Sequence, residues 1–126
     1  MREPKGELTI QTLAMPLNTN ANGDIFGGWI VSQMDLAAGV LAKRIAKGRV
    51  ATVAIHSMTF LKPVHIGDVV SCHVEMLKIG HTSMTIGVEV WALPATQADR
   101  YQVTEGTFIF VAIDEEGKSR QVLASA

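Results

Sequence analysis

The sequence predicts an α+β fold in which a curved antiparallel sheet of five or six strands wraps one long central helix. Three observations predict it. An apolar run with helical spacing extends from Trp29 to Ala46 and carries a single carboxylate, Asp35. Four long strand-like runs follow it; each reaches roughly ten residues, about 33 Å, against a helix of about 18 residues and about 27 Å. Gly87 and Gly106 lie inside two of those runs, where glycine marks a bulge or bend, so the sheet is expected to curve around the helix.

At 126 residues the chain reads as one domain, 1–126, able to bury a core yet small enough to gain from assembly. A hydrophobic content of 48% and a mean hydropathy of +0.24 point to a subunit interface. Ser32, Gln33, Asp35 and Gly39 interrupt the longest apolar run, which falls short of the roughly 20 residues a bilayer needs. Residues 1–7 are polar and charged, unlike a signal peptide, so no membrane insertion is expected. The one cysteine, Cys72, excludes an intrachain disulfide, suits the cytoplasm, and sits in an apolar run as a small core residue. A net charge of −1 gives no general attraction to nucleic acid or anionic membrane, so an anionic ligand must be held by local groups.

Residues 7–15 alternate as a first strand closed by Pro16. Residues 18–28 hold three asparagines, three glycines and Asp24, the composition of an ordered loop with several free backbone N–H groups. The helix follows, apolar on nearly every side and therefore buried, with Gly28, Ser32, Asp35 and Gly39 along one stripe. Lys43, Arg44 and Lys47 close it at the negative end of its dipole, with Gly48 as cap. Strands are expected over 50–61, 69–79, 83–93 and 101–114, joined by a turn at 62–68, a hairpin at 80–82 and a loop at 94–100. Residues 115–126 read as a polar turn and a flexible tail.

Asp35 is the residue to explain. An ionised carboxylate in an apolar helix needs a partner, and Arg44 lies nine positions on, out of reach within the helix. Two readings stand: Asp35 satisfies a neighbouring backbone or distant arginine, or it faces a reactive site. The turn upstream favours the second, because a helix start with Gly27 and Gly28 offers unpartnered N–H donors, positive dipole and room for an oxyanion.

The segments Ala14-Met15-Pro16, Thr19-Asn20, Gly23-Asp24-Ile25-Phe26-Gly27-Gly28-Trp29 and Gln33-Met34-Asp35 resemble the small bacterial acyl-CoA thioesterases of the hotdog superfamily, YciA-type branch. The match continues through Phe60-Leu61-Lys62-Pro63, Gly67-Asp68-Val69-Val70, residues 80–83, Val88-Glu89-Val90-Trp91 and Gly117-Lys118-Ser119-Arg120, and so covers nearly the whole chain. The resemblance implies the hotdog fold, homodimers with a continuous sheet and shared active sites, and further assembly as trimers of dimers. It implies that Asp35 is the catalytic carboxylate and that Asp24 contributes to the same site. Asn18 and His56 stand where many relatives carry acids, and neither receives a role.

The chemistry expected is hydrolysis of acyl-CoA to a carboxylic acid and CoA. Asp35 either deprotonates a water or attacks the carbonyl to form a mixed anhydride, while the N–H of Gly27 or Gly28 receives the oxyanion. Asn20, Lys62, Gly80, His81, Thr82, Ser83 and Arg120 are the candidates for holding CoA. His56, His65, His73 and His81 lack metal-type spacing, so neither a metal nor a cofactor is expected. The competing readings are a hotdog dehydratase, disfavoured by Phe26 where a histidine is wanted, and a non-catalytic acyl-CoA-binding regulator.

Overall fold

The computed structural model describes residues 3–123; residues 124–126, the end of the expected tail, lie outside them. In chain order the elements are β1 (Glu7–Leu13), a 3-10 turn (Pro16–Asn18), α1 (Gly27–Ala46), β2 (Val50–Phe60), β3 (Val69–Ile79), β4 (Ser83–Leu93) and β5 (Tyr101–Ala112). The strands form one antiparallel sheet in the order β1-β3-β4-β5-β2, the lower of the two strand numbers expected. β3 and β4 begin and end where the sequence pattern places them.

Alternation decides which side chains meet the helix. Cys72, Val74, Ile86, Val88, Val90, Phe108 and Phe110 point to the concave side and are buried against Ile30, Met34, Ala37, Ala38, Leu41 and Ala42 of α1. Alanines along this stripe let the helix lie close to the strands. The hydroxyl of Thr9, in the irregular register between Leu8 and Ile10, donates to the Ala37 carbonyl at 3.0 Å. Arg44 in the last turn forks onto Glu7 of β1 at 2.8 and 2.9 Å. That pairing holds the Glu7 carboxyl below its ordinary range.

The sheet covers only one side of the helix. Leu36 and Val40 are 57% and 45% exposed, and Val53 and Ile55 on edge strand β2 are 57% and 43% exposed. A helix apolar all round is thus buried on one face and open on the other within a single chain.

Three local expectations are corrected. The register irregularities fall between Leu8 and Ile10, Thr52 and Ala54, His56 and Thr59, Met76 and Lys78, and Val90 and Trp91, not at Gly87 or Gly106. Those glycines make room: a Cβ at Gly106 would sit 3.0 Å from the Met58 sulfur, and one at Gly87 would sit 3.3 Å from Leu77. At the end of α1 it is Lys47, not Gly48, that turns left-handed (φ 54°) and donates to the Lys43 carbonyl. A Cβ at Gly48 would lie 2.6 Å from the Arg120 guanidinium, which would have to shift to admit it. Finally, residues 115–122 do not hang free. Ile113 bridges Ser119, the Val122 N–H donates to the His81 carbonyl at 2.9 Å, and Val122 is buried in the core.

Val122→Ala should therefore lower unfolding free energy by about 2 kcal/mol, read by chemical denaturation, where a free tail would give no change. Burial pushes the Cys72 thiol up to about 12, so at pH 8 it stays protonated in the native protein. A thiol reagent should label it at least about 100-fold more slowly than in the unfolded chain.

Candidate active site

The loop before α1 is built by its own side chains. Asn20 Oδ1 accepts the N–H groups of Asn22 at 2.8 Å and Asp24 at 3.1 Å. The Asn20 N–H donates to the Asp24 carbonyl, the Gly23 N–H to the Asn20 carbonyl, and the Phe26 N–H to the Asn18 carbonyl. Gly23 permits the turn with φ +84°. The Ile25 N–H reaches the Val64 carbonyl at 2.9 Å and docks the loop on the turn after β2. The free N–H groups expected along this loop are thus largely used within it.

The free donors lie one step further on. Phe26 is the N-cap without a side-chain cap bond, and its carbonyl accepts from Trp29 and Ile30. Among the described residues, the N–H groups of Gly27 and Gly28 meet no acceptor, as the first turn of any helix leaves them. A Cβ at Gly28 would meet nothing within 4 Å, and one at Gly27 would only touch the Phe60 ring. The glycines therefore open this helix start to the outside rather than fit it to the chain's own core.

A cleft of about 330 Å³ lies here, lined by Asn20, Asp24 and Gly27 on one wall and Phe60, Lys62 and Pro63 on the other. Four of the residues singled out from the sequence meet in it. The Asn20 amide Nδ2 has no partner among the described residues, because its oxygen does the loop bonding.

Asp35 sits on the uncovered face of α1, half-buried. Its Oδ1 accepts the Thr52 hydroxyl from β2 at 2.5 Å, and among the described residues no cation pairs with it. Oδ2 is left to act. Thr52 escaped the sequence reading: one threonine in an exposed strand carries no signal until the helix is laid beside it.

The remaining candidates lie at the other end of the helix, which is about 30 Å long. The Gly80 N–H donates to the Ser83 carbonyl, and the carbonyls of His81 and Thr82 accept from Val122 and Ala112. Arg120 lays its guanidinium against the carbonyls of Ala46, Ile113 and Gln121 at 3.0 to 3.1 Å, where a cation also opposes the helix dipole. One chain therefore does not bring Gly80, His81, Thr82, Ser83 and Arg120 together with Asn20, Asp24, Gly27 and Lys62. The described residues contain no cluster of three or more metal-ligating side chains and no helix long and apolar enough to cross a membrane.

Comparison with known proteins places this geometry. A profile of the thioesterase superfamily matches residues 22–98. The acyl-CoA thioester hydrolase YciA of Salmonella typhimurium is 54% identical over 120 residues, 93% of this chain and 90% of that protein. The crystal structure of HI0827, a hexameric broad-specificity acyl-coenzyme A thioesterase, superposes with a TM-score of 0.92 at 53% identity over 98% of this chain and 86% of that one. An acyl-CoA hydrolase from Staphylococcus aureus, solved with butyryl-CoA, CoA and CoA disulfide, superposes with a TM-score of 0.82 at 27% identity over 89% of this chain and 68% of that one. With its one long helix, five-stranded curved sheet and glycine-flanked helix start, this chain belongs to the thioesterase superfamily and has its hotdog fold.

Proposed function

We propose that the protein hydrolyses acyl-CoA to a free carboxylic acid and CoA, in sites that two copies of the chain build together. The observation that carries this reading is the state of Asp35: a half-buried carboxylate with one oxygen fixed by Thr52, no cation, and an open face before it. Asp35 takes a proton from a water, whose oxygen adds to the thioester carbonyl carbon. The N–H of Gly27 or Gly28 receives the oxyanion, a contribution of about 3 kcal/mol per donor. The C–S bond then breaks, and the CoA sulfur leaves with the proton returned by Asp35. The Thr52 bond fixes Oδ1 and leaves Oδ2 toward the open face.

Gly28 and Asp35 share a helix face but stand seven residues apart, about 10.5 Å along the axis. Asp35 also lies on the face of α1 that its own sheet leaves open, and on this reading it serves the helix start of a partner. Edge strand β2, long and carrying exposed Val53 and Ile55, invites antiparallel pairing with its own copy about a two-fold axis, and this would cover Leu36 and Val40. The same operation carries the 80–83 hairpin and Arg120 of one chain toward the cleft of the other. There Lys62, the Thr82 and Ser83 hydroxyls, His81 and the charge of Arg120 face the CoA phosphates, while Asp24 lines the cleft beside Asn20. Further pairing into a trimer of dimers accords with the hexameric relative, and an unpaired Cys72 accords with the cytoplasm. Variants of the Staphylococcus aureus hydrolase replace an asparagine and a threonine at the same spacing as Asn20 and Thr52, which supports roles for both.

Asp35→Ala should lower kcat in a free-thiol assay by at least about 1,000-fold while CoA still binds. Saturable CoA binding by the wild type without thiol release would instead identify a non-catalytic binding module. Gly27→Pro deletes one donor at a position where a helix tolerates proline. Hybrids of Gly27→Pro with Asp35→Ala should regain activity, because one of their two sites is intact; sites within single chains would give no recovery. Thr52→Val should reduce kcat by about 10- to 100-fold, the worth of a hydrogen bond to a charged group.

A further inference from the structure

The turn after β2 places a histidine between two carboxylates that the mechanism above does not use. Asp68, its side chain only 5% exposed, accepts the His65 N–H at 3.0 Å and faces the Tyr101 hydroxyl at 3.0 Å. Tyr101 has one proton and two acceptors, since its oxygen also lies 2.8 Å from the Pro63 carbonyl. The His65 ring presents Nδ1 to Asp68 Oδ2 at 3.9 Å and Nε2 to Asp24 Oδ1 at 3.6 Å. Only an imidazolium is positive and a donor at both nitrogens. Asp68 is anchored through its backbone to Ala14 and His65, whereas Asp24 belongs to the loop that carries Asn20 and runs into Gly27.

We propose that His65 is a positioning residue for the active-site loop: its ring lies between the core-anchored Asp68 and Asp24 and so holds Asn20 and the helix start in place. Without the ring the loop keeps its backbone bond from Ile25 to Val64 but loses the side-chain tether. The groups facing this bridge are Asp24, Asp68 and Tyr101; the Lys62 ammonium sits 5.6 Å from the Tyr101 ring, and Asp99 and Arg100 line the same cavity. Of these, Arg100 is paired with Glu3 at 3.2 Å. The His65 ring is 60% exposed and Asp24 39% exposed, so solvent screens the bridge and its effect is a few-fold.

The test uses the assembled protein and two readouts, of which only the kinetic one rests on the thioesterase reading. Hydrogen exchange of segment 18–28, referred to β4, should lose protection about threefold in His65→Gln and in Asp24→Asn relative to the wild type, and the double variant should add nothing. In acyl-CoA hydrolysis His65→Gln should lower kcat about threefold and leave KM unchanged, a split that general destabilisation would not give. His65→Gln exchange equal to that of the wild type overturns the proposal, whether or not the protein is a hydrolase. The expected exchange in a protein that releases no thiol sustains the tether and removes the hydrolase.

Discussion

A five-stranded sheet can wrap only part of the surface of a twenty-residue helix, and the stripe of α1 left uncovered governs the rest of this structure. On that stripe stand Ser32, Asp35, Leu36, Gly39 and Val40, with edge strand β2 alongside. Removing Leu36, Val40, Val53 and Ile55 from water is favourable, and a second copy of the chain is the partner proposed for this face. Asp35 and the exposed apolar side chains thus share one face. The carboxylate borders an opening rather than a core, and the opening exists because the sheet stops at β2.

The helix start follows a related logic. Its loop satisfies nearly all of its own polar backbone, so what remains at Gly27 and Gly28 is a pair of donors fixed in direction by the helix behind them. Preorganised donors of this kind stabilise developing negative charge without reorganising when it appears. Asn20 shows how economical the arrangement is: one end of its amide builds the turn while the other faces the cleft.

Much of this was legible in the residues. The strand patterns at 69–79 and 83–93 mark β3 and β4 to the residue, because both are long β-branched and apolar runs whose ends carry turn chemistry. Asp35 stood out as a lone charge in an apolar helix, and the glycine-flanked helix start was visible as composition. What failed to show has physical reasons. Gly48, Gly87 and Gly106 lie under distant side chains, Arg120, Leu77 and Met58, and no local pattern encodes a neighbour's bulk. The tail looked polar because one buried valine among eight residues makes no periodicity. Thr52 and His65 acquire meaning only from residues 17 and 41 positions earlier, Asp35 and Asp24, once folding brings them close.

The strand order has a bearing on how the molecule is made. β2 leaves the ribosome early but has no neighbour in the sheet until β5, fifty residues later, is available to pair with it. Every hydrogen bond β2 makes within the sheet therefore waits for β5, and Arg120 and Val122 close the helix end from still further along the chain. Contacts this far apart in sequence form slowly, so completing the sheet rests on its last strand rather than on the local hairpin of β3 and β4.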